Sequence, residues 1–486
     1  MRNIVELLQH AAGKWRDKVY FEEENEKITF GETYTLAKKI ATAVAKIAQP
    51  NTPVVVLSQK CVQTPAYFLG VLMAGCFYVP LGTESPAARC NHILETVGAK
   101  ILLTDIKSQQ HLDGLDFAGE VIIADKCTKI DEALVANRCN AIVNTDPQTV
   151  IFTSGSTGKP KGAITPHAGV ADVATAFANV FELGAGTVLG SQTPTEYDAF
   201  NRDLVVPLVC GGRSIIIPRH FFTEPQKLFA YLKTKKVNTI CWTASVFAMF
   251  HDLDVFATIA PPKLDRVFFI GSIMKSKVYD YLRKYLPNTT LIHHYGPTEV
   301  TGTSTYFITD KNADYGAGIP IGKAFANRRV FLHDDEIHIG GLGVGKGYFG
   351  NVEKTAEVFI QNPTHNNYVD IVYKTGDMGK LDKDGNLIFV GRRDRQIKHM
   401  GHRIELGEIE TIATLIAGVG EAVCVFAPEK TLLAIFYTGT ATEREVALTL
   451  RDKLPAYMIP RRYIRLEKMP HLFNGKIDMQ SLLKTL

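Results

Sequence analysis

The chain has 486 residues, of which 46% are hydrophobic and 21% charged, and its formal charge is 54 − 50 = +4. That length exceeds one compact core and calls for at least two lobes with an ordinary globular composition. The basic residues form no long run, which argues against nucleic acid and anionic membranes as partners, and no apolar run is long enough to span a bilayer.

At the N-terminus, Asn3 followed by Glu6 reads as a capping box opening an amphipathic helix. Glu6 and Lys14 interrupt anything resembling a secretion signal. Leu36, Ile40, Val44 and Ile47 then recur on one helical face. Short apolar runs at 53–57, 101–103, 121–123, 214–217 and 266–270 read as strands between helices, which predicts a layered, largely parallel α/β core.

The apolar run 149–152 leads into Thr153, Ser154, Gly155, Ser156, Thr157, Gly158, Lys159, Pro160, Lys161 and Gly162. Glycines let such a loop turn its backbone N–H groups toward one point, and hydroxyls and lysines add donors and charge suited to an oligophosphate. It is not a Walker A loop, because Pro160 follows Lys159 and no Ser or Thr is placed for magnesium. Further on, 340–347 has almost Walker spacing, but Gly347 stands where a Ser or Thr is required, so it reads as a tight structural crossing. An Asp-Gly turn at 384–385 joins two strands. After Asp394 the pattern changes to a smaller α+β unit, with strands at 422–426 and 432–437 and a helix over 443–454. The eight cysteines are scattered without a CxxC pair or metal spacing, a pattern that fits a reducing cytoplasm.

The phosphate-type loop and Tyr295-Gly296-Pro297-Thr298-Glu299 resemble the adenylate-forming superfamily, and within it the amino-acid adenylation domains of nonribosomal peptide synthesis. The resemblance runs almost the whole chain, in family order. It takes in Ala74-Gly75-Cys76-Phe77-Tyr78-Val79-Pro80-Leu81, Tyr197-Asp198-Ala199, Gly341 to Tyr348, Tyr373-Lys374-Thr375-Gly376-Asp377 and Gly391 to Lys398. It closes with Arg403 to Glu410, Leu454 to Pro460 and Asn474-Gly475-Lys476-Ile477-Asp478. Three departures stand out: Met73 replaces a common lysine, His293 stands where many relatives carry an asparagine near adenine, and 331–336 is shorter than the usual hairpin.

This resemblance implies an α/β fold with a large N-terminal lobe of layered subdomains (1–393) and a small mobile α+β C-terminal lobe (394–486), hinged at Asp394. It implies an AMP-forming acid–thiol ligase that uses ATP and Mg2+ to make an aminoacyl-AMP, then passes the acyl group to phosphopantetheine on a separate carrier protein. In that scheme Thr153, Ser154, Gly155, Ser156, Thr157, Gly158 and Lys161 hold the phosphates. Glu299 binds the metal, and Thr298 meets the α-phosphate. Tyr295 packs on adenine with Gly271 and Ser272 on the other side, and Asp377, helped by Arg392, takes the ribose. Lys476 is the catalytic lysine of the first half-reaction, after which the small lobe turns and presents the loop from Lys398 to Arg403.

Asp198 would pair with the substrate ammonium, and Ala199, Arg202, Cys241, Phe268, Ile270, His294, Gly302 and Thr303 would line the acyl pocket. Unless it points to solvent, a guanidinium at Arg202 calls for a partner, either a second substrate carboxylate or Asp203. The first option makes an acidic amino acid the leading substrate. A D-alanine–carrier ligase is the alternative within enzymes, and Asp198 argues against an acyl-CoA synthetase. A catalytically silent fold kept for binding would be expected to have lost Lys476, Glu299 or Asp377. No carrier motif follows Lys476, which leaves either a free-standing ligase or one domain cut from a longer synthetase, and the Met1 start favours the former.

Overall fold

The computed structural model describes residues 3–155, 159–316, 318–471 and 477–486. The first helix, Ile4–Lys14, starts as its sequence dictates: Asn3 Oδ1 accepts the Glu6 N–H at 3.0 Å. The second, Phe30–Ala45, opens on a full capping box between Thr29 and Glu32 and buries Ile40 and Val44. Ile47 departs from the expected helical face. The helix ends at Ala45, and Ile47 lies beyond it, half exposed.

Two large sheets organise the first part of the chain. One has nine strands in the order Lys323–Ala324, Thr305–Ile308, Thr290–Tyr295, Arg266–Ile270, Thr239–Thr243, Val188–Ser191, Arg213–Ile216, Val19–Glu22 and Lys27–Thr29. Its six central strands run parallel, flanked by antiparallel ones. The other has six strands in the order Glu120–Ile123, Ile101–Thr104, Pro53–Leu57, Phe77–Leu81, Pro147–Thr153 and Lys161–Pro166, the last pair antiparallel. Their central strands are covered on both faces and read as continuous apolar runs. In such sheets ligands collect at the carboxyl ends of the parallel strands. Gly271 and Tyr295 lie at those ends of the first sheet, and Thr153 ends the strand Pro147–Thr153 of the second.

A third sheet of five strands spans 328–392. Its shortened hairpin, Arg328–His333 to Glu336–Gly341, turns on Asp334 and Asp335 alone, both at positive φ (50° and 59°), as a two-residue turn requires. From residue 397 onward the chain builds its own core. Ile404, Ile409, Cys424, Ile435, Leu450 and Met458 pack on one face of the three-stranded sheet, and Val423, Phe436, Met469 and Leu482 pack on the other. All eight cysteines are free, six of them buried, and burial raises the thiol pKa at every one.

Candidate active site

The hairpin between Pro147–Thr153 and Lys161–Pro166 pairs Thr153 with Lys161, so the glycine loop begins and ends at one point. Gly155 has to be glycine, since a Cβ there would lie 1.9 Å from the Lys159 carbonyl oxygen. The Thr153 hydroxyl is buried without a hydrogen-bond partner. Ser156, Thr157, Gly158 and Lys476 lie outside the described residues.

Lys161 reaches from this loop toward Glu299, with Nζ 4.0 Å from Glu299 Oε1 and 4.0 Å from Glu405 Oε1. Burial, and then Arg403, depress the lysine to about 8. Glu299 is buried and accepts Tyr348 Oη at 2.7 Å. Arg403 Nη1 donates to both carboxylate oxygens at 2.9 Å. Burial alone would raise this carboxyl, but Arg403 and Lys161 outweigh it and hold it at about 2. Behind Glu299 the backbones cross: Gly345 N–H donates to the Glu299 carbonyl and Lys346 N–H to the Ile164 carbonyl. A Cβ on Gly345 would come within 2.8 Å of both carbonyl oxygens, so the glycine-rich stretch 340–347 serves there as a packing crossing.

The nucleotide-side candidates meet around Tyr295. Its hydroxyl donates to Asp377 Oδ2 at 2.5 Å, and Arg392 Nη1 donates to Asp377 Oδ1. The same guanidinium grips Asp394 through Nε and Nη2, both at 2.7 Å. Lys398 Nζ stands 5.5 Å from the centre of the Tyr295 ring, its pKa lowered by burial. Gly271, in the left-handed region at φ 89°, packs against Gly401, and Ser272 follows it at the rim. His293 turns from this cluster: its Nδ1 meets the Pro320 carbonyl at 2.9 Å and its ring stacks on Phe269.

Asp198 and Thr298 lie together, and burial raises the Asp198 carboxyl while Thr298 pulls it back down. Gly302, at φ 74°, gives this carboxylate room, since a Cβ there would approach Asp198 Oδ2 to 2.6 Å. Ala199 caps the helix Phe200–Cys210, which carries Arg202. Arg202 donates to Asp203 Oδ1 from Nε (3.2 Å) and Nη2 (3.0 Å), and to Cys241 Sγ from Nη1 at 2.9 Å. Asp203 also accepts Ser191 Oγ at 2.6 Å. The guanidinium therefore has a protein carboxylate, the second of the two options open from sequence. His294 is buried among Phe177, Phe181, Phe268 and Phe325 with neither ring nitrogen bonded. Thr303 is buried near Gly302 in the chain, and Ile270 ends the strand that carries Phe268.

Several contacts were not foreseen. Ser154 Oγ donates to the Arg403 carbonyl at 2.9 Å, and Gly155 N–H donates to Glu408 Oε2 at 3.3 Å. Glu408, in turn, lies 3.5 Å from Arg89 and is pushed up to about 7, mainly by burial. Glu405 and Glu408 flank the start of the helix Leu406–Thr414, so their spacing around a helix start was the available signal. Lys60 is half-buried, its ammonium donating to the Ser191 and Thr193 carbonyls, and desolvation depresses it to about 8. Nothing in its local sequence announces that role.

A glycine hairpin, a buried glutamate and a Tyr–Asp–Arg cluster thus converge at the strand ends. Residues 8–349, more than half of the chain, match the family model described as AMP-binding enzyme. The chain belongs to that family. It is 29% identical over 500 residues to tyrocidine synthase 1 of Brevibacillus parabrevis, covering 99% of this chain and 45% of that protein. It spans less than half the length of this and the next curated relatives it matches. Among solved structures, holo-PA1221, a protein with adenylation and PCP domains bound to a vinylsulfonamide inhibitor, superposes with a TM-score of 0.86 at 21% identity, covering 100% and 84% of the two chains. The Vibrio cholerae adenylation domain AlmE, in complex with glycyl-adenosine-5'-phosphate, gives 0.85 at 18% identity, covering 99% and 97%. These two likenesses show the fold, an AMP-binding enzyme's mixed α/β architecture. Among the described residues no helix is long and apolar enough to cross a membrane.

Proposed function

We propose that this AMP-binding enzyme joins an α-amino acid to AMP and then transfers the aminoacyl group to a carrier-protein thiol. In the first step a carboxylate oxygen bonds to the α-phosphorus, the bond to the β-phosphate breaks and pyrophosphate leaves. In the second a thiol sulfur bonds to the acyl carbon, AMP leaves and the thiol proton passes to solvent. Two anions must meet in the first step, so fixed positive charge and donors matter most. Thr153, Ser154, Gly155 and Lys161 suit a triphosphate. Tyr295, Asp377 and Arg392 suit the nucleoside, with Gly271 and Ser272 beside it. Thr298 suits the α-phosphate, and Glu299 suits a magnesium site of the sparse kind that one carboxylate and phosphates complete, where the metal would neutralise phosphate charge. Lys476 is assigned the first step and Lys398 the second. The large and small lobes are taken as 1–393 and 394–486, with Asp394 the hinge.

The observation that carries the amino-acid reading is Asp198: a carboxylate given space by Gly302, with Thr298 near it, set beside the Glu299 cluster. A protonated amine is its natural partner in a dry pocket. The side chain that follows is proposed to carry a hydrogen-bond acceptor, a carboxylate first. Arg202 Nη1 faces only the thiol of Cys241, a weak acceptor, and His294 has two unbonded nitrogens. A small neutral side chain, as in a D-alanine–carrier ligase, is the second reading, favoured by the Arg202–Asp203 pair. The relatives support a carrier partner, since PA1221 contains a PCP domain.

ATP–pyrophosphate exchange with glutamate, glutamine, alanine and phenylalanine decides between them. Asp198→Ala is expected to weaken every amino acid alike. Arg202→Ala is expected to cost glutamate roughly 2–5 kcal/mol and leave alanine little changed. Preference of the wild type for alanine would overturn the acidic reading, and exchange with no amino acid would overturn the whole.

A further inference from the structure

Three aromatic groups join the two parts of the chain beside Asp198. Tyr197 Oη lies 2.5 Å from His402 Nδ1. The His402 ring stacks on Tyr457, with centroids 3.9 Å apart and planes within 5°. Tyr197 precedes Asp198 in the substrate loop. His402 sits on the hairpin Gln396–His399/His402–Glu405, and Tyr457 lies in the turn after the helix Glu443–Lys453. We propose that Tyr197, His402 and Tyr457 form a latch that holds the small lobe in the arrangement seen here, and that this latch serves thiol transfer and is released for adenylate formation.

The inference rests on the two-step reading above and adds to it the residues that govern the exchange of states. The latched arrangement is unsuited to a triphosphate. Arg403 occupies both oxygens of Glu299, and Glu408 occupies the first N–H of the glycine loop, where a phosphate oxygen would sit. It leaves Lys398 beside Tyr295. Latching therefore competes with the first step and is free to assist the second.

The latch has a pH signature. The Tyr197 hydroxyl stays protonated and donates, because burial raises its pKa far above the usual phenol range, with Tyr457 and Glu196 adding to it. His402 must then accept as a neutral ring. Burial, and then Arg219 and His399, hold His402 down at about 4. Tyr457 faces Arg89, Glu408 and Glu196. A latched pKa near 4 against an ordinary value of about 6.5 means that the released state takes up the proton first, so latching weakens as pH falls below about 6.5. Glu408 acts in the opposite sense. Its latched pKa of about 7 exceeds an ordinary carboxyl value, so it favours latching as pH falls through 7. A wild-type profile alone therefore mixes two groups, and comparison with His402→Phe, which keeps the stack and cannot titrate, isolates one.

The test uses Tyr457→Ala, Tyr457→Phe and His402→Phe in the full chain, with aminoacyl loading of a phosphopantetheinylated carrier, pyrophosphate exchange and backbone hydrogen exchange over 396–405. Tyr457→Ala is expected to lower the kcat of loading about tenfold, to leave pyrophosphate exchange within twofold and to speed hydrogen exchange of the hairpin. Tyr457→Phe should restore both. The wild-type to His402→Phe loading ratio should fall about tenfold between pH 7.5 and 5.5. Equal losses in both half-reactions for Tyr457→Ala, unchanged hairpin protection, or a flat ratio would each overturn the latch. Because hairpin protection is read without substrates, it decides the latch even if no amino acid supports pyrophosphate exchange.

Discussion

At the scale of single residues, the site is a set of buried charges that share partners. Glu299 is kept ionised by Arg403 and Lys161, and Lys161 is shared between Glu299 and Glu405. Removing one member of such a buried network strands the others. Two lysines test the assignment of steps. Lys476→Ala is expected to cost pyrophosphate exchange about 10²- to 10³-fold, or roughly 3–4 kcal/mol, by taking positive charge from a dry transition state. Loading from a supplied aminoacyl-AMP should be far less affected. Lys398→Ala should do the reverse, because Lys398 stands at Tyr295 in the arrangement in which Glu408 holds the Gly155 N–H. Single-turnover assays of each half-reaction separate the two. The same loss in both assays for both variants would remove the division of labour.

At the scale of elements, the strand runs were legible because buried parallel strands are apolar throughout, and 53–57, 101–104 and 266–270 needed no partner to declare themselves. The helix end at Ala45 was not legible, because Ile47 keeps the apolar period after the backbone has left it. The glycine loop could be read from composition and the shortness of 331–336 from the family pattern, but not that Asp334 and Asp335 alone make the turn. Arg202 could be read as buried but not as paired. Its neighbour Asp203 is one residue away on the helix, and only the fold shows that both turn inward onto Ser191 and Cys241. The contacts of Glu405 and Glu408 depend on how two parts of the chain meet, which no local pattern records. That meeting is where Asp394, the proposed hinge, would act. Asp394→Pro is expected to change the ratio of loading to pyrophosphate exchange at least tenfold, since proline fixes φ at the proposed hinge. Asp394→Ala serves as the control for losing the Arg392 pair. An unchanged ratio in the proline variant would leave the hinge without support.

At the scale of the whole molecule, the C-terminal part has its own core and meets the rest through hydrogen bonds, ion pairs and a few rings. Polar contacts of this kind suit an interface that is proposed to open on each turnover. The burial of the cysteines then bears on fidelity. The proposed acyl-adenylate is an electrophile, and Cys241 lies in the pocket proposed for its acyl group. Burial raises that thiol to about 11 even against the pull of Arg202, so almost none of it is thiolate at neutral pH. An enzyme that hands an acyl group to a foreign thiol, as proposed for this one, would thus keep its own thiols from intercepting it. Intact mass measured after incubation with ATP and amino acid should show no acyl adduct, and native Cys241 should resist iodoacetamide until the chain is unfolded. Rapid self-acylation at Cys241 would mean that this sulfur is a reactant, and that the acyl group rests on the enzyme before it leaves.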